Sequence, residues 1–167
     1  MVELVMVVTI IGIIAAIAVP RVSNAASGAS ANSMQATLTA VRKAIDCYYA
    51  EHGYFPGKNP VSGLPDGTMF VRQLLEYTDV AGRNNATYAA PYLYGPYLRA
   101  PFPANPTNKL NTVHVKATPL DANPGDGTVG WVAILSTGDF GISATDTQLE
   151  DVGIKDLDVR AIIRLDQ

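Results

Sequence analysis

Residues 4–19 read LVMVVTIIGIIAAIAV. The run carries no charge, and Thr9 is its one strongly polar side chain. As a helix it falls somewhat short of the ~20 apolar residues that span a bilayer, and Met1 and Val2 bring it closer. Glu3 then lies inside the apolar end, a costly place for a carboxylate. A secretory signal peptide has a basic region ahead of its apolar core and a small-x-small cleavage site behind it. Here no Lys or Arg precedes the run, and the first basic residue, Arg21, follows it. In an ordinary membrane protein a basic residue there holds that end at the cytoplasm. The segment fits neither an ordinary signal peptide nor an ordinary anchor.

Two weak helix formers punctuate the run. Gly12 is less favourable than Ala by ~1 kcal/mol, and Pro20 removes a hydrogen bond and kinks the axis. Past Pro20 a helical period continues. Leu38, Val41, Ile45 and Tyr48 follow 3-4-3 spacing with Ala44 alongside, while Arg42, Lys43 and Asp46 fall off the stripe. Ala and Ser dominate residues 23–40, a small-residue surface suited to close helix packing. The pattern predicts an amphipathic helix from about Ser23 to His52, ended by Gly53. Joined to the first segment it makes one helix ~75 Å long at 1.5 Å per residue. A domain of this size cannot bury such a helix, so roughly half of it must project and find partners. The expected division is therefore an apolar membrane or filament-core segment at 1–22 and a globular domain at 23–167.

The rest of the chain reads as loops, a short helix and strands. Residues 53–66, GYFPGKNPVSGLPD, are dense in Gly and Pro and predict a loop. Residues 68–77, TMFVRQLLEY, predict a short helix with Asp66 or Thr68 as N-cap. Residues 82–111 hold five prolines and many Asn and Tyr, the composition of loop or extended chain. Thr112–Ala117, Val129–Ser136 and Val159–Leu165 are rich in β-branched residues and predict three strands. No helix of crossover length joins the first two, so an antiparallel sheet is expected.

Several function classes find little support. With a formal net charge of −3 and 16% charged residues, the 167-residue chain has no basic footprint for nucleic acid. His52 and His114 are isolated, no Ser or Cys has a base context, and Gly125-Asp126-Gly127 is turn chemistry rather than a phosphate loop. The aromatics Tyr48, Tyr49, Tyr54, Phe55, Tyr92, Tyr94 and Tyr97 are expected to pack. The single cysteine, Cys47, excludes an intrachain disulfide, and its place in a helical apolar pattern predicts a small buried side chain. Asn85-Ala86-Thr87 matches the glycosylation pattern, which is common by chance.

Glu3-Leu4-Val5-Met6-Val7-Val8 and Ile10-Ile11-Gly12-Ile13-Ile14-Ala15-Ala16-Ile17-Ala18-Val19-Pro20 together resemble the N-terminal segment of type IV pilins and type II secretion pseudopilins. Ala44-Ile45-Asp46-Cys47-Tyr48-Tyr49-Ala50-Glu51-His52-Gly53-Tyr54-Phe55-Pro56 resembles the end of the long helix and the following turn in major pseudopilins. Gly95-Pro96-Tyr97-Leu98-Arg99, followed by Pro101, Pro103 and Asn105-Pro106, is similar to the loop leading into their sheet. Two departures stand out: family members begin with a methylated Phe and carry the Glu fifth, whereas here Met is first and Glu third. The pair of C-terminal cysteines of many type IVa pilins is also absent.

The resemblance implies an α+β pilin fold, a long N-terminal helix packed on a small antiparallel sheet. It implies a non-enzymatic structural subunit that enters the inner membrane, is handled by pilus or secretion machinery, and polymerises with itself into an extracellular filament. Glu3, Gly12 and Pro20 are then the assembly residues. Glu3 pairs with the N-terminal amine of a neighbour, against the alternative of an interfacial carboxylate that snorkels; Gly12 and Pro20 bound a stretch that loses helicity, against the alternative of small residues that merely fit. Major pseudopilins also bind calcium in a loop similar to Ser136–Asp151, which makes Asp139, Asp146 and Asp151 candidate ligands beside carbonyls of Leu135 or Ser136. Here the Asp comes one residue early and the Gly-rich centre is lost, so a solvated acidic loop is the competing reading. A second functional reading is the major pseudopilin of a type II secretion system, a periplasmic piston. A third is a membrane-anchored enzyme or binding module.

Overall fold

A computed structural model of the chain describes residues 2–118, 128–145 and 147, and for residues 17–29 the backbone alone. Helix α1 runs Val2–His52 and α2 runs Gly67–Leu75. Two strands, β1 at Tyr77–Thr78 and β2 at Asn84–Asn85, form an antiparallel ribbon. Strands β3 at Val113–Lys116, β4 at Trp131–Ile134 and β5 at Phe140–Ile142 form a second small sheet in the order β3-β4-β5.

The expected architecture, a long helix laid on an antiparallel sheet, is overturned on two counts. The three-stranded sheet is mixed: β3 and β4 run parallel, with Val113 opposite Trp131, and β5 returns antiparallel. A parallel pair needs a connection of a dozen or more residues but not a helix, and residues 117–130 supply that length. Nor does a long helix pack on the sheet. The described side chains of α1 fall into two sets, and the set at 2–16 contributes nothing to the core. The buried contribution comes from Met34, Leu38, Val41, Ala44, Ile45 and Tyr48, with the partly buried Ala31 packed against them.

That buried stretch follows the 4-3-4-3 spacing of one helix face. Cys47 lies off it and is exposed, not buried as its apolar neighbourhood suggested. Gly53, at φ 75°, donates its N–H to the Tyr49 carbonyl and ends the helix in a left-handed residue.

Helix α2 starts where its N-cap lies. Asp66 is extended, and its carboxylate accepts from the N–H groups of Thr68 and Met69 at 2.8 and 3.1 Å. The helix buries Phe70, Gln73 and Leu74. Phe70 stacks on Phe140 at 5.7 Å, Phe140 stacks on Trp131 at 5.2 Å, and Phe102 meets both phenylalanines edge-on, so one aromatic cluster joins helix, loop and sheet. The Trp131 indole N–H donates to the Pro103 carbonyl at 2.9 Å, which satisfies its one polar atom inside the core.

Three buried polar side chains hold the irregular segments. Gln73 accepts from the Gly57 N–H and donates to the carbonyls of Lys58 and Gly82. Asp79 closes the β1–β2 turn by accepting from the N–H groups of Ala81 and Arg83 and from the Arg83 guanidinium at 2.7 Å. Asn105 donates to the carbonyls of Gly130 and Ser143, tying the proline-rich loop to the start of β4 and the end of β5. Loops rich in proline lack backbone donors, so side-chain amides and carboxylates take over the bridging. The third predicted strand, Val159–Leu165, lies outside the described residues.

Candidate assembly surface

The side chains at 2–16 present an apolar rod without a partner among the described residues. Val2, Leu4, Val5, Met6, Val7, Val8, Ile10, Ile11, Ile13 and Ile14 are all exposed, from 49% at Ile10 to 84% at Val2. Thr9 does not interrupt the surface, because its hydroxyl donates to the Val5 carbonyl one turn back at 2.7 Å. Glu3 is the one ionisable side chain of this stretch, and it sits in the first turn of α1, where the helix dipole favours a negative charge. A Cβ added at Gly12 would meet nothing within 4 Å. The backbone is helical through Pro20, whose side chain lies outside the described residues. Among the described residues no helix is long and apolar enough to cross a membrane.

The scale of this surface matters. Covering one large aliphatic side chain stabilises by about 1.5–3 kcal/mol when burial is complete. Ten such side chains, each about half exposed or more, supply a driving force on the order of 10 kcal/mol. That is comparable with the roughly 4–15 kcal/mol cost of ordering two molecules against one another.

The calcium candidates do not come together among the described residues. What read as a single acidic loop is interrupted at once by β5, a fully buried strand, and by the buried Ser143 and Ala144. Asp139 belongs to the β4–β5 turn, where it accepts from the Thr137 hydroxyl. Asp146 and Asp151 lie outside the described residues. No group of three metal-ligating acids, histidines or cysteines occurs among the described residues.

A cluster that sequence reasoning missed surrounds His52. Its ring stacks on Tyr48 with centroids 3.9 Å apart and planes 2° apart, and Tyr54, Tyr94 and Tyr97 close around it. Nδ1 faces the Tyr48 carbonyl and Nε2 faces the Asp79 carbonyl, both at 3.1 Å. The Thr78 hydroxyl also lies 3.1 Å from Nε2, but Thr78 is fully buried and out of reach of any substrate. The cluster is a joint between the end of α1 and the β1–β2 ribbon. Burial raises the Tyr48 phenol well above its ordinary range, and burial together with the Glu51 carboxylate does the same for Tyr97. Both phenols therefore stay neutral: Tyr48 packs, its hydroxyl without a hydrogen-bond partner among the described residues, and the Tyr97 hydroxyl donates to the Glu51 carboxylate. The tyrosines were expected to pack, but not around His52, since residues as distant as 48, 54, 94 and 97 share no local period.

No protein-family model, no curated protein and no solved structure matches the chain.

Proposed function

We propose that the chain is a structural subunit that polymerises through the apolar end of α1 into a type IV pilus-like filament at the cell surface, after insertion in the inner membrane. The observation that carries this reading is the exposed apolar rod at 2–16, which no other part of the described chain covers. Water does not tolerate such a surface, so it is hidden by lipid before assembly and by copies of itself afterwards. Self-association repeats one contact between identical subunits, and a repeated contact that does not close on itself yields a helical filament. Glu3 sets the register: in a dry interface its carboxylate requires a cation, and the N-terminal amine of a neighbouring copy supplies one.

The test is fibre yield from cells making the full chain. Wild-type cells release fibres on shearing, visible by electron microscopy. Glu3→Ala leaves the subunit in the membrane fraction and sharply reduces fibres. Normal fibre yield from that variant, or no fibres from the wild type, overturns the proposal.

A further inference from the structure

Asn85 of the Asn85-Ala86-Thr87 motif is half-buried with Ala86 and Thr87 exposed, and a second Asn-x-Thr in the same chain shows what an unusable one looks like. Asn105-Pro106-Thr107 has proline in the middle position, Asn105 is fully buried, and its amide is spent on the Gly130 and Ser143 carbonyls. Asn85 differs on every count. It ends the short strand β2, and Ala86, Thr87 and Tyr88 that follow are exposed. Its carbonyl Oδ1 accepts from the Thr87 N–H at 3.2 Å, a turn that brings the threonine back beside the amide. Its Nδ2 makes no hydrogen bond among the described residues, whereas the Nδ2 of neighbouring Asn84 donates to the Glu76 carboxylate. Successive strand residues point to opposite faces, so the bond to Glu76 leaves Asn85 free on the other side. Directly across the ribbon stands Tyr77, packed edge-to-face on the exposed Tyr88 at 5.3 Å. That aromatic pair offers the C–H face of a first sugar a flat apolar surface.

We propose that Asn85 is an N-glycosylation site. In the step, Nδ2 forms a bond to the anomeric carbon of an oligosaccharide carried on a lipid pyrophosphate. The bond from that carbon to the pyrophosphate oxygen breaks, the lipid pyrophosphate leaves with the electron pair, and the amide loses one proton to a base of the transferase. Asn85, a neutral primary amide before the transfer, becomes a neutral secondary amide.

Trypsin cleaves after Arg83 and Arg99 and so releases residues 84–99 with the motif inside. The folded full chain in detergent is incubated with an oligosaccharyltransferase and its lipid-linked donor, with a short acceptor peptide as a control for enzyme activity. The expected result is one added glycan, localised to Asn85 by fragmentation of that peptide. Asn85→Gln and Thr87→Ala abolish the addition, and Thr87→Ser retains it. An unmodified chain beside a modified control peptide overturns the proposal, as does an added mass that survives Asn85→Gln. Fibre formation is not read in this experiment, so its outcome is independent of the filament proposal.

Discussion

The Arg42 guanidinium donates twice to the main-chain carbonyl of Phe140, from Nε at 3.2 Å and from Nη2 at 2.8 Å. A side chain off the buried stripe of α1 thus grips the edge strand β5 through its backbone. Burial lowers the Arg42 pKa from its ordinary value, with the Asp139 carboxylate opposing that shift, yet an arginine remains charged across the accessible range. The two donors share one acceptor oxygen and count as one forked bond, and a hydrogen bond to a charged group is worth about 1.5–3 kcal/mol when a partner is removed. Arg42→Met keeps the apolar stem and deletes both donors. The expected loss is about 2 kcal/mol in urea denaturation. A change below about 0.5 kcal/mol refutes the grip, because that is the scale of an ordinary surface substitution.

Gly138 turns β4 into β5 at φ 77°, and a Cβ there would lie 2.2 Å from the Phe55 ring. That ring cannot retreat freely, since it is stacked on Tyr49 at 4.4 Å. Gly63 has a similar φ of 74° but open space around it. Gly63→Ala reads the backbone strain alone, about 1 kcal/mol. Gly138→Ala adds the clash and should cost at least about 2 kcal/mol more than Gly63→Ala, a difference of several degrees in melting temperature. Equal melting temperatures for the two variants contradict the close approach of Phe55.

Asp66 gives a pH signature. Its pKa is lowered, chiefly by the Met69 N–H, with the Asn59 amide, the Thr68 N–H and Arg72 adding to the effect against a smaller burial penalty. A carboxylate with a depressed folded pKa contributes stability above its unfolded value near 3.9, and that contribution is lost as pH falls through the folded value. Asp66→Ala therefore costs about 1 kcal/mol at pH 7, the usual worth of an N-cap. The gap between wild type and variant narrows below about pH 4. A gap that stays constant down to pH 2 assigns the effect to something other than the ionised cap.

The parts legible in the sequence were those with a local period or a local cap. Leu38, Val41, Ala44, Ile45 and Tyr48 announced themselves by helical spacing, and Asp66 by its place ahead of an apolar run. Strands β3 and β4 showed through their β-branched residues. Their relative direction did not, because pairing joins residues far apart in the chain and no local signal records it. Strand β5 was hidden in a stretch whose Gly and acidic residues read as loop, although Phe140 and Ile142 are buried. Cys47 was misplaced by one position on the helix wheel. Gln73, Asp79 and Asn105 carried no signal of burial in the sequence, since only the folded loops reveal which carbonyls and N–H groups need them. At the candidate surface, Glu3 and the apolar run around it stand out in the sequence.

The final prediction separates the domain from the rod. Every buried apolar side chain of the described core lies at Met34 or beyond. The described side chains at 2–16 therefore contribute nothing to that core, and the packing stretch of α1 begins beyond residue 22. A chain beginning at residue 23 should show helical circular dichroism, unfold cooperatively, and sediment as a monomer in buffer without detergent. The full chain should require detergent or lipid, and on detergent removal should associate in a concentration-dependent way, because ten exposed aliphatic side chains supply a driving force of the size of the ordering cost. The comparison has two independent outcomes. An unfolded truncated chain means that residues 1–22 support the domain. A full chain that stays monomeric in plain buffer means that the apolar rod is covered by its own molecule, and with that the motive for a filament is gone.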